Sequence, residues 1–239
     1  MNPKILEDFI STDEDFSPHK AYLDSISKSS VDILFLDGVA SDSGSRFGGN
    51  PLVAKDFVWP EHNVGEYRFL GQINFSEILD CPEPLPKSGL LSLFYAYDHD
   101  GEIFWGAEGY VIAYYYPDIN DLVMFEQAAV PQEAKLIRLE TGLEIPKHEE
   151  LRSDWPFDTN LLYELPYLIG HRENYMLGYP SFCSLAYDPT PGDEWLPLLT
   201  LASHDGLGWC WHDGDKLMVF IEKEKLKNAD FSCLKTDAG

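Results

Sequence analysis

The stretch Gly208–Ile221, GWCWHDGDKLMVFI, concentrates side chains that could do chemistry. Its first eight residues hold two tryptophans, a cysteine, a histidine and two aspartates. A Cys-x-His pair supplies two zinc ligands, but a zinc site needs further ligands, and the nearest, His204 and Asp205, belong to the preceding turn. The alternative to a metal or catalytic site is a turn between two strands.

Strand alternation favours the turn. Successive side chains of a strand point to opposite faces, so Trp209 and Trp211 share one face and Cys210 and His212 share the other. Asp213 followed by glycine is a strong hairpin signal, because a type I′ turn needs positive φ at both central residues. We therefore predict a hairpin that is covered on both sides, with no metal site.

Other motifs are also better explained by turns than by catalysis. In YDHDGE, Asp98 and Asp100 resemble the start of a calcium loop, but the later EF-hand ligands are missing, so we predict a hairpin turn. The glycines after Arg46 lack the GK[ST] of a phosphate loop. No serine-hydrolase, zinc-protease, dinucleotide-binding or kinase pattern occurs in the sequence. The sequence therefore predicts no catalytic residues and no cofactor.

The charge argues against several classes of partner. The 239 residues include 17 basic and 41 acidic side chains, which give a net charge of −24 at pH 7. The field around such a protein repels phosphate backbones and anionic lipids, so neither nucleic acid nor a membrane is an expected partner. No apolar run approaches the roughly 20 residues that cross a bilayer, and the first residues do not resemble a signal peptide. We expect a cytoplasmic protein whose four scattered cysteines are buried and reduced.

Hydrophobic patterns predict the elements that must position these residues. Residues 3–28 predict two short helices broken near Pro18. Residues 126–175 are rich in charge and predict a partly helical insert, with helical segments in KHEELRSDW and TNLLYELPYLI. The end, KNADFSCLKTDAG, is predicted to be irregular. Strands are predicted for VDILFLDGVA, FLGQINF, GLLSLFYAY, EIFWGA, GYVIAYYY, PSFCSLAY, EWLPLLTLASH, GWCWH and DKLMVFIEKE.

The two strand-rich halves, about 31–125 and 176–232, share landmarks in the same order. Besides single residues, SLFY matches MVFI at an offset of 126. The landmarks favour the duplication of one β-rich unit, and the alternative is chance matching of short apolar strings. The matched residues are Gly49 with Gly178 and Pro51 with Pro180 at an offset of 129, and Gln72 with Thr200 at 128.

These patterns predict an α+β fold, mostly antiparallel β-sheet with short helices and an internal duplication. A single domain over residues 1–239 is expected, because the partly helical insert 126–175 joins two halves of similar pattern.

Several pieces of the chain, taken in order, resemble the YwqG-like family, a bacterial domain of unknown function. They are SRFGGNP, VWP, FLGQINF, LPKSGLLSLFY, LGYPSF, EWLPLLTLASHDGLGWCWHDGDKLMVFI and KNADFS, from about Arg46 to about Ser232. The resemblance implies a cytoplasmic α+β protein dominated by antiparallel sheet, without an established reaction or cofactor. It supplies no catalytic residues. Family members often have glutamine where Thr200 stands, whereas Gln72 and Arg46 keep the family's pattern in the first half.

Two functions are compatible with the sequence. The first is a non-enzymatic binding protein of immunity or inhibitor type, whose acidic surface captures a basic protein partner. The second is an enzyme or small-molecule binder, in which tryptophans and carboxylates form a cleft between the halves for a sugar-like or peptide-like ligand. We expect most of the tryptophans to lie in the core, which favours the first. The candidate binding residues are Arg46, Gln72, Trp209, Trp211 and Asp213.

Overall fold

Strands dominate the part of the chain that the structure describes. The computed structural model describes residues 3–125, 133–146, 173–182 and 184–239, together with Pro156. The helices are α1 (Pro3–Thr12), α2 (Lys20–Ile26) and α3 (Lys223–Lys227). The strands are β1 (Lys28–Phe35), β2 (Arg46–Phe47), β3 (Leu52–Val53), β4 (Glu66–Asn74), β5 (Leu90–Tyr97), β6 (Val111–Tyr116), β7 (Val123–Met124), β8 (Lys135–Glu144), β9 (Tyr175–Leu177), β10 (Trp195–Ala202), β11 (Lys216–Glu222) and β12 (Leu234–Ala238).

Within the described residues, ten strands form one antiparallel sheet that nearly closes into a barrel. Their order is β12-β11-β10-β9-β1-β8-β2-β4-β5-β6, while β3 and β7 pair separately. The edge strands β6 and β12 lie beside each other, and the Thr236 hydroxyl of β12 donates to the carbonyl of Trp105, in the connection before β6. The predicted α+β class is wrong, because the fold is dominated by β-structure and its helices are short.

The hydrophobic core fills the inside of this barrel. Alternate residues of the strands point inward, as Val31 and Ile33 of β1 and Val219 and Ile221 of β11 do. The N-terminal helices pack in a smaller cluster of their own, built around Leu6, Ile10, Phe16, Leu23 and Ile145. The helices therefore cover part of the barrel without contributing to its wall.

The strand order repeats on both sides of the central pair β1–β8. One arm runs β2, β4, β5, β6 away from that pair, and the other runs β9, β10, β11, β12. The central strands are exchanged between the arms: β1 comes before the first arm in the chain but pairs with β9, whereas β8 comes before the second arm but pairs with β2. Each arm is therefore completed by a strand from the other half of the chain.

The registers of the two arms agree residue by residue. Gln72 of β4 pairs with Arg46 on one side and Ser92 on the other, and Thr200 of β10 pairs with Tyr175 and Met218. The ladders of β4 and β10 also shift register at matching points: between Phe69 and Gly71, and between Pro197 and Leu199. These positions fit the predicted alignment of Gln72 with Thr200, while a duplication as its origin stays a prediction.

Most of the predicted elements are confirmed. VDILFLDGVA, FLGQINF, GLLSLFYAY, GYVIAYYY, EWLPLLTLASH and DKLMVFIEKE contain strands, and a short 3-10 turn at Ser17–His19 separates α1 from α2. Four predictions are wrong. EIFWGA and the described part of PSFCSLAY form no strand, GWCWH takes part in only an isolated bridge, and KNADFSCLKTDAG contains β12. The segments KHEELRSDW and TNLLYELPYLI lie outside the described residues.

Two further expectations need correction. The predicted insert contains β8, whose Ile137 and Leu139 point into the barrel core while charged residues alternate with them. The cysteines are not uniformly buried: Cys210 and Cys233 are exposed free thiols and Cys81 is half-buried. Cys183 lies outside the described residues.

Candidate functional site

The segment between β10 and β11 folds into the barrel instead of forming a hairpin of its own. Lys216, at the start of β11, pairs with Ala202 of β10, so the predicted hairpin between the tryptophan segment and β11 is wrong. A turn is present at Asp213–Gly214: Gly214 has φ 100° and the Asp215 N–H donates to the Trp211 carbonyl at 2.9 Å. Turn geometry was readable from the sequence, but it did not identify the strands that the turn connects.

Trp209 and Trp211 belong to the core, as expected. They are 2% and 3% exposed, and their ring centroids lie 5.7 Å apart. Trp209 packs edge to face against Phe47, and Trp211 does the same against Tyr95, at 5.2 and 5.3 Å between centroids. Neither indole N–H, nor Nδ1 of His204, has a hydrogen-bond partner among the described residues. Both rings therefore serve the packing of the barrel.

The other face of this segment is open. Cys210 is exposed, so the prediction of cover on both sides is wrong, although the tryptophans and Cys210 do alternate as a strand would. His212 is half-buried, with Nδ1 3.3 Å from Oδ2 of Asp215, and the side chain of Asp213 is 94% exposed. Among the described residues, no group of three or more His, Cys, Asp or Glu side chains is arranged to hold a metal ion.

Arg46 and Gln72 form a buried polar clamp under the segment 41–52. The clamp binds backbone groups of that segment and holds it against the sheet. The Arg46 guanidinium donates to the carbonyls of Ser41 (3.0 Å), Asp42 (2.7 Å), Gly44 (3.3 Å) and Asn50 (2.6 Å). The Gln72 amide donates to the carbonyls of Asp42 (3.0 Å) and Gly44 (2.9 Å), and its oxygen accepts from the Leu52 N–H (3.1 Å).

Burial sets the electrostatics of the polar clamp. It lowers the pKa of the Arg46 guanidinium, because desolvation disfavours the charged form, and the nearby Asp42 carboxylate opposes this effect. The carbonyl oxygens around Arg46 replace the water that its charge has lost. The clamp's hydrogen-bonding groups are thus occupied in positioning the chain.

The five candidate residues do not converge on one concavity. Arg46 and Gln72 are cross-strand neighbours. Phe47, next to Arg46 on β2, points to the opposite face, where it contacts Trp209. The polar clamp and the tryptophan pair therefore lie on opposite faces of the sheet, and Asp213 stands apart on an exposed turn. A binding role for these residues stays a prediction.

The second arm repeats one bond of the polar clamp with a different side chain. Arg46 donates to the carbonyl of Asn50, four residues later. Tyr175, at the equivalent place in β9, donates from its hydroxyl to the carbonyl of Tyr179, also four residues later, at 2.9 Å. Thr200 replaces Gln72, and its buried hydroxyl has no hydrogen-bond partner among the described residues.

Two adjoining concavities at the start of β4 and the end of β5 form what we call the acidic groove. Their volumes are about 530 and 290 Å³, and they share Gly65 and Glu66. Arg68 is engaged within the groove: its Nε lies 2.8 Å from Glu66 and its guanidinium stacks on Tyr97. The carboxylates of the acidic groove are Glu61, Glu66, Asp98, Asp100 and Glu102.

Within the acidic groove, Asp98 shapes the turn. Its carboxylate accepts the N–H groups of Glu102 and Ile103, both at 2.8 Å. These bonds, that of Ile103 first, lower the pKa of Asp98, because they favour its charged form. The chain bends at YDHDGE, but the predicted hairpin is wrong, because EIFWGA after it forms no strand. Val64, 60% exposed, lines the groove beside the carboxylates, and Val58, 81% exposed, directly precedes Trp59 of the same lining.

The acidic groove is absent from the candidates predicted from the sequence. Its carboxylates come from two segments, 61–66 and 98–102, which are brought together by the pairing of β4 with β5. In the sequence, Asp98 and Asp100 of YDHDGE are the signal of this groove. A turn accounts for both aspartates, so they do not indicate a binding site by themselves.

Comparison with known families gives one match. Residues 45–236 match a family model described as "Domain of unknown function (DUF1963)". No curated protein matches the chain. Among the described residues, no helix is both long and apolar enough to span a membrane.

Proposed function

This chain belongs to the DUF1963 family, a domain of unknown function, and from that premise we propose that it is a binding protein without enzymatic activity. It captures a basic protein partner on its acidic surface, as an immunity protein or an inhibitor does. The observation that carries the proposal is the acidic groove, which places carboxylates around a concavity next to exposed valines.

The negative charge of the protein favours a cationic partner for this surface. A net charge of −24 attracts cationic molecules to the protein. Because the screening length is about 8 Å at physiological salt, this attraction acts only on molecules that are already close to the surface. The acidic groove then supplies local contacts. Carboxylates of the groove such as Asp100 and Glu102 suit lysine and arginine side chains, while Val58 and Val64 suit the apolar parts of the same partner.

The alternative, a cleft lined by tryptophans, has less support. Trp209 and Trp211 are core residues, and Trp59 and Trp105 pack against the same core while half-buried. Stacking on a sugar ring needs an exposed aromatic face. An enzyme or small-molecule binder of that design is therefore the second candidate.

The test identifies the partner and then measures its affinity. The protein is used to isolate binding proteins from its source cells at low salt, and the strongest salt-sensitive basic protein is purified. Its dissociation constant is measured by calorimetry for the wild type and two triple variants. The groove variant is E61Q with D100N and E102Q. The control is E7Q with D8N and E14Q, three exposed carboxylates in or near α1.

Both variants have the same net charge, −24 + 3 = −21, so they differ only in position. We expect the groove variant to bind about tenfold more weakly, or more, and the control to stay within about threefold of the wild type. Equal loss in both variants would mean that charge acts only through its total. The absence of any basic partner whose binding weakens with salt would overturn the proposal.

A cytoplasmic location and an origin by duplication form part of the same proposal, as does the finer resemblance to the YwqG-like family. The matching registers of Gln72 and Thr200, and the matching bonds of Arg46 and Tyr175, support the duplication. Cell fractionation tests the location. Further family structures test the duplication, which predicts the same two registers in each.

A further inference from the structure

A third concavity, which we call the sheet gap, interrupts the wall of the barrel between β1 and β10. Its volume is about 720 Å³, within the roughly 300–1,000 Å³ range of ligand sites in proteins. The start of β1, the end of β9 and the start of β10 line it, together with the loop between β4 and β5. It is separate from the acidic groove.

The sheet gap exists because β9 is shorter than its neighbours. The ladder of β9 with β1 ends at Leu177. Leu177 and Gly178 have φ 61° and 72°, left-handed values that end a strand. Beyond this point the described residues include no strand between Ser29 of β1 and Trp195–Leu198 of β10. Both flanking strands therefore continue while the strand between them stops.

Burial changes near the same boundary. β1 is exposed at Lys28 and Ser29 and buried from Ser30 to Ile33, where the segment of β9 lies beside it. β10 is half-buried at Trp195 and Leu196 and buried from Pro197 to Leu201, so its burial begins two residues before its pairing with β9 at Leu199. Pro197 lacks an N–H, and proline within a strand is typical of edges. At this end β1 and β10 behave as edge strands, although they belong to a sheet with strands on both sides.

We propose that the sheet gap binds an extended peptide segment of a partner protein, which continues the place of β9 as an added strand. Adjacent strands lie about 4.8 Å apart. Two strands with one missing between them therefore have axes about 9.6 Å apart, which leaves room for a single strand. Main-chain hydrogen bonds supply affinity: Ser29 of β1 offers its N–H and carbonyl, while β10 offers carbonyls only, because the Trp195 N–H donates to Gly192 and Pro197 has no N–H. Alternate side chains of the segment enter the concavity.

The charges of the sheet gap select a segment with a lysine or arginine side chain. Both of its amines are engaged: Lys28 lies 3.8 Å from the centre of the Tyr179 ring, and Lys223 donates to the Asp193 carbonyl. The carboxylate of Asp193 has no partner among the described residues, and Asp188 uses one oxygen to cap the Thr190 N–H at 2.9 Å. The lining holds three carboxylates, Glu83, Asp188 and Asp193, against two amines, so a cationic side chain complements it.

The test uses the full chain and a capped seven-residue peptide that alternates valine and lysine. Amide hydrogen exchange is followed by mass spectrometry and NMR. We expect the peptide to slow exchange about tenfold or more at Ser29, because the Ile33 N–H donates to Asn174 beside β9 and strand alternation turns the Ser29 N–H to the same side, into the gap. The control peptide has the same sequence with alternate amides N-methylated, which keeps its charge and removes its ability to pair.

A protein variant checks that binding takes place in the sheet gap. A Cβ at Gly192 would meet only Trp195 Cδ1, at 3.9 Å, an ordinary contact. G192W therefore places an indole in the concavity without a clash at its base, and G192A is the matched control. We expect G192W to lose the protection, G192A to keep it, and both to melt near the wild-type temperature.

Three results would overturn the proposal. One is unchanged exchange at Ser29 at saturating peptide. Another is equal protection by the N-methylated peptide, which would reduce the effect to charge attraction. The third is undiminished protection in a folded G192W variant. A valine–glutamate peptide that binds as well as the lysine peptide would overturn the charge selectivity. The groove variant of the proposed function is expected to leave all of these results unchanged, so the two proposals fail separately.

Discussion

The two arms of the barrel have the same strand order, register and bulge position, yet they hold their short strands in different ways. In the first arm, the polar clamp of Arg46 and Gln72 binds five backbone groups beside β2: the carbonyls of Ser41, Asp42, Gly44 and Asn50 and the Leu52 N–H. In the second arm, the Tyr175 hydroxyl donates to the Tyr179 carbonyl, and the Thr200 hydroxyl has no hydrogen-bond partner among the described residues. A shared backbone frame therefore keeps its register although different side chains bind the neighbouring segments.

The same difference appears in the barrel wall. In the first arm, the Trp59 indole donates to the carbonyl of Tyr67 at 2.9 Å, at the edge of β4. In the second arm, the corresponding end of β10 borders the sheet gap. In the first arm a side chain therefore bonds the strand end beside the acidic groove, whereas the second arm leaves the sheet gap, where we propose that a partner's strand binds.

The largest expected effect comes from making the first arm resemble the second at Gly71. Leu199 occupies this position in β10 (199 − 71 = 128), but a Cβ on Gly71 would lie 2.4 Å from the Phe47 ring and 2.5 Å from the Arg46 carbonyl. We expect G71L to destabilise the fold by about 3 kcal/mol or more, because backbone is involved in the clash. L199M, a volume-conserving control, should lose less than about 1.5 kcal/mol. Urea unfolding measures both, and a wild-type midpoint for G71L would contradict the close packing.

The next effect compares the residues that hold β2 and β9. R46M leaves several buried carbonyls without a donor, and we expect it to lower the unfolding free energy by about 3 kcal/mol or more. Y175F removes one hydrogen bond and should lower it by about 1 kcal/mol. Chemical denaturation with equal m-values tests the ranking. Equal losses in the two variants would show that the arms are held alike.

A smaller effect, of opposite sign in the two arms, is expected at Gln72 and Thr200. T200V replaces a buried hydroxyl that has no partner among the described residues, so it should raise stability by about 1 kcal/mol. Q72L removes three hydrogen bonds at the equivalent place and should lower it by about 2 kcal/mol. Thermal melting of both variants provides the measurement, and a loss in T200V would indicate that its hydroxyl is bonded.

The smallest effect concerns the connection between β11 and β12, the last two strands of the second arm. Asp230, between β11 and β12, accepts hydrogen bonds from Ser232 and Lys225, which lower its pKa to about 2. A depressed pKa stabilises the fold above the unfolded value of about 3.9, and this contribution disappears as the pH falls toward 2. D230N should flatten the acid side of the stability profile between those values. S232A should do so partly, and an unchanged slope in D230N would remove Asp230 from the pH dependence.

Sequence patterns predicted the strands whose residues are apolar along their length, such as β5 and β11. β8 was missed because KLIRLETGLE alternates charged and apolar residues, and its charges favoured an insert over a strand with one face in the core. β12 was missed because LKTDA is short and polar. It is a strand because it pairs with β11, which lies outside the segment itself. Local composition does not contain the partner that makes such a segment a strand.

The candidate residues show the same limit. Arg46 and Gln72 were singled out by type and place, and the structure does bring them together, but in a structural cluster under the segment 41–52. The tryptophans were expected in the core and lie there. The acidic groove and the sheet gap are products of strand pairing and strand length, respectively. Neither property is written in a short stretch of sequence.

The exchange of β1 and β8 between the arms has a consequence for synthesis. β1 pairs with β8 and β9. Lys28 therefore cannot pair until Glu144 has been synthesised, and Val31 cannot pair with β9 until Met176 has been synthesised. At about 5–20 residues per second, the ribosome leaves β1 without those neighbours for roughly 6 to 30 seconds. While the first half of the chain is being synthesised, β1 therefore has neither of its partner strands. The barrel closes only when most of the chain has emerged from the ribosome.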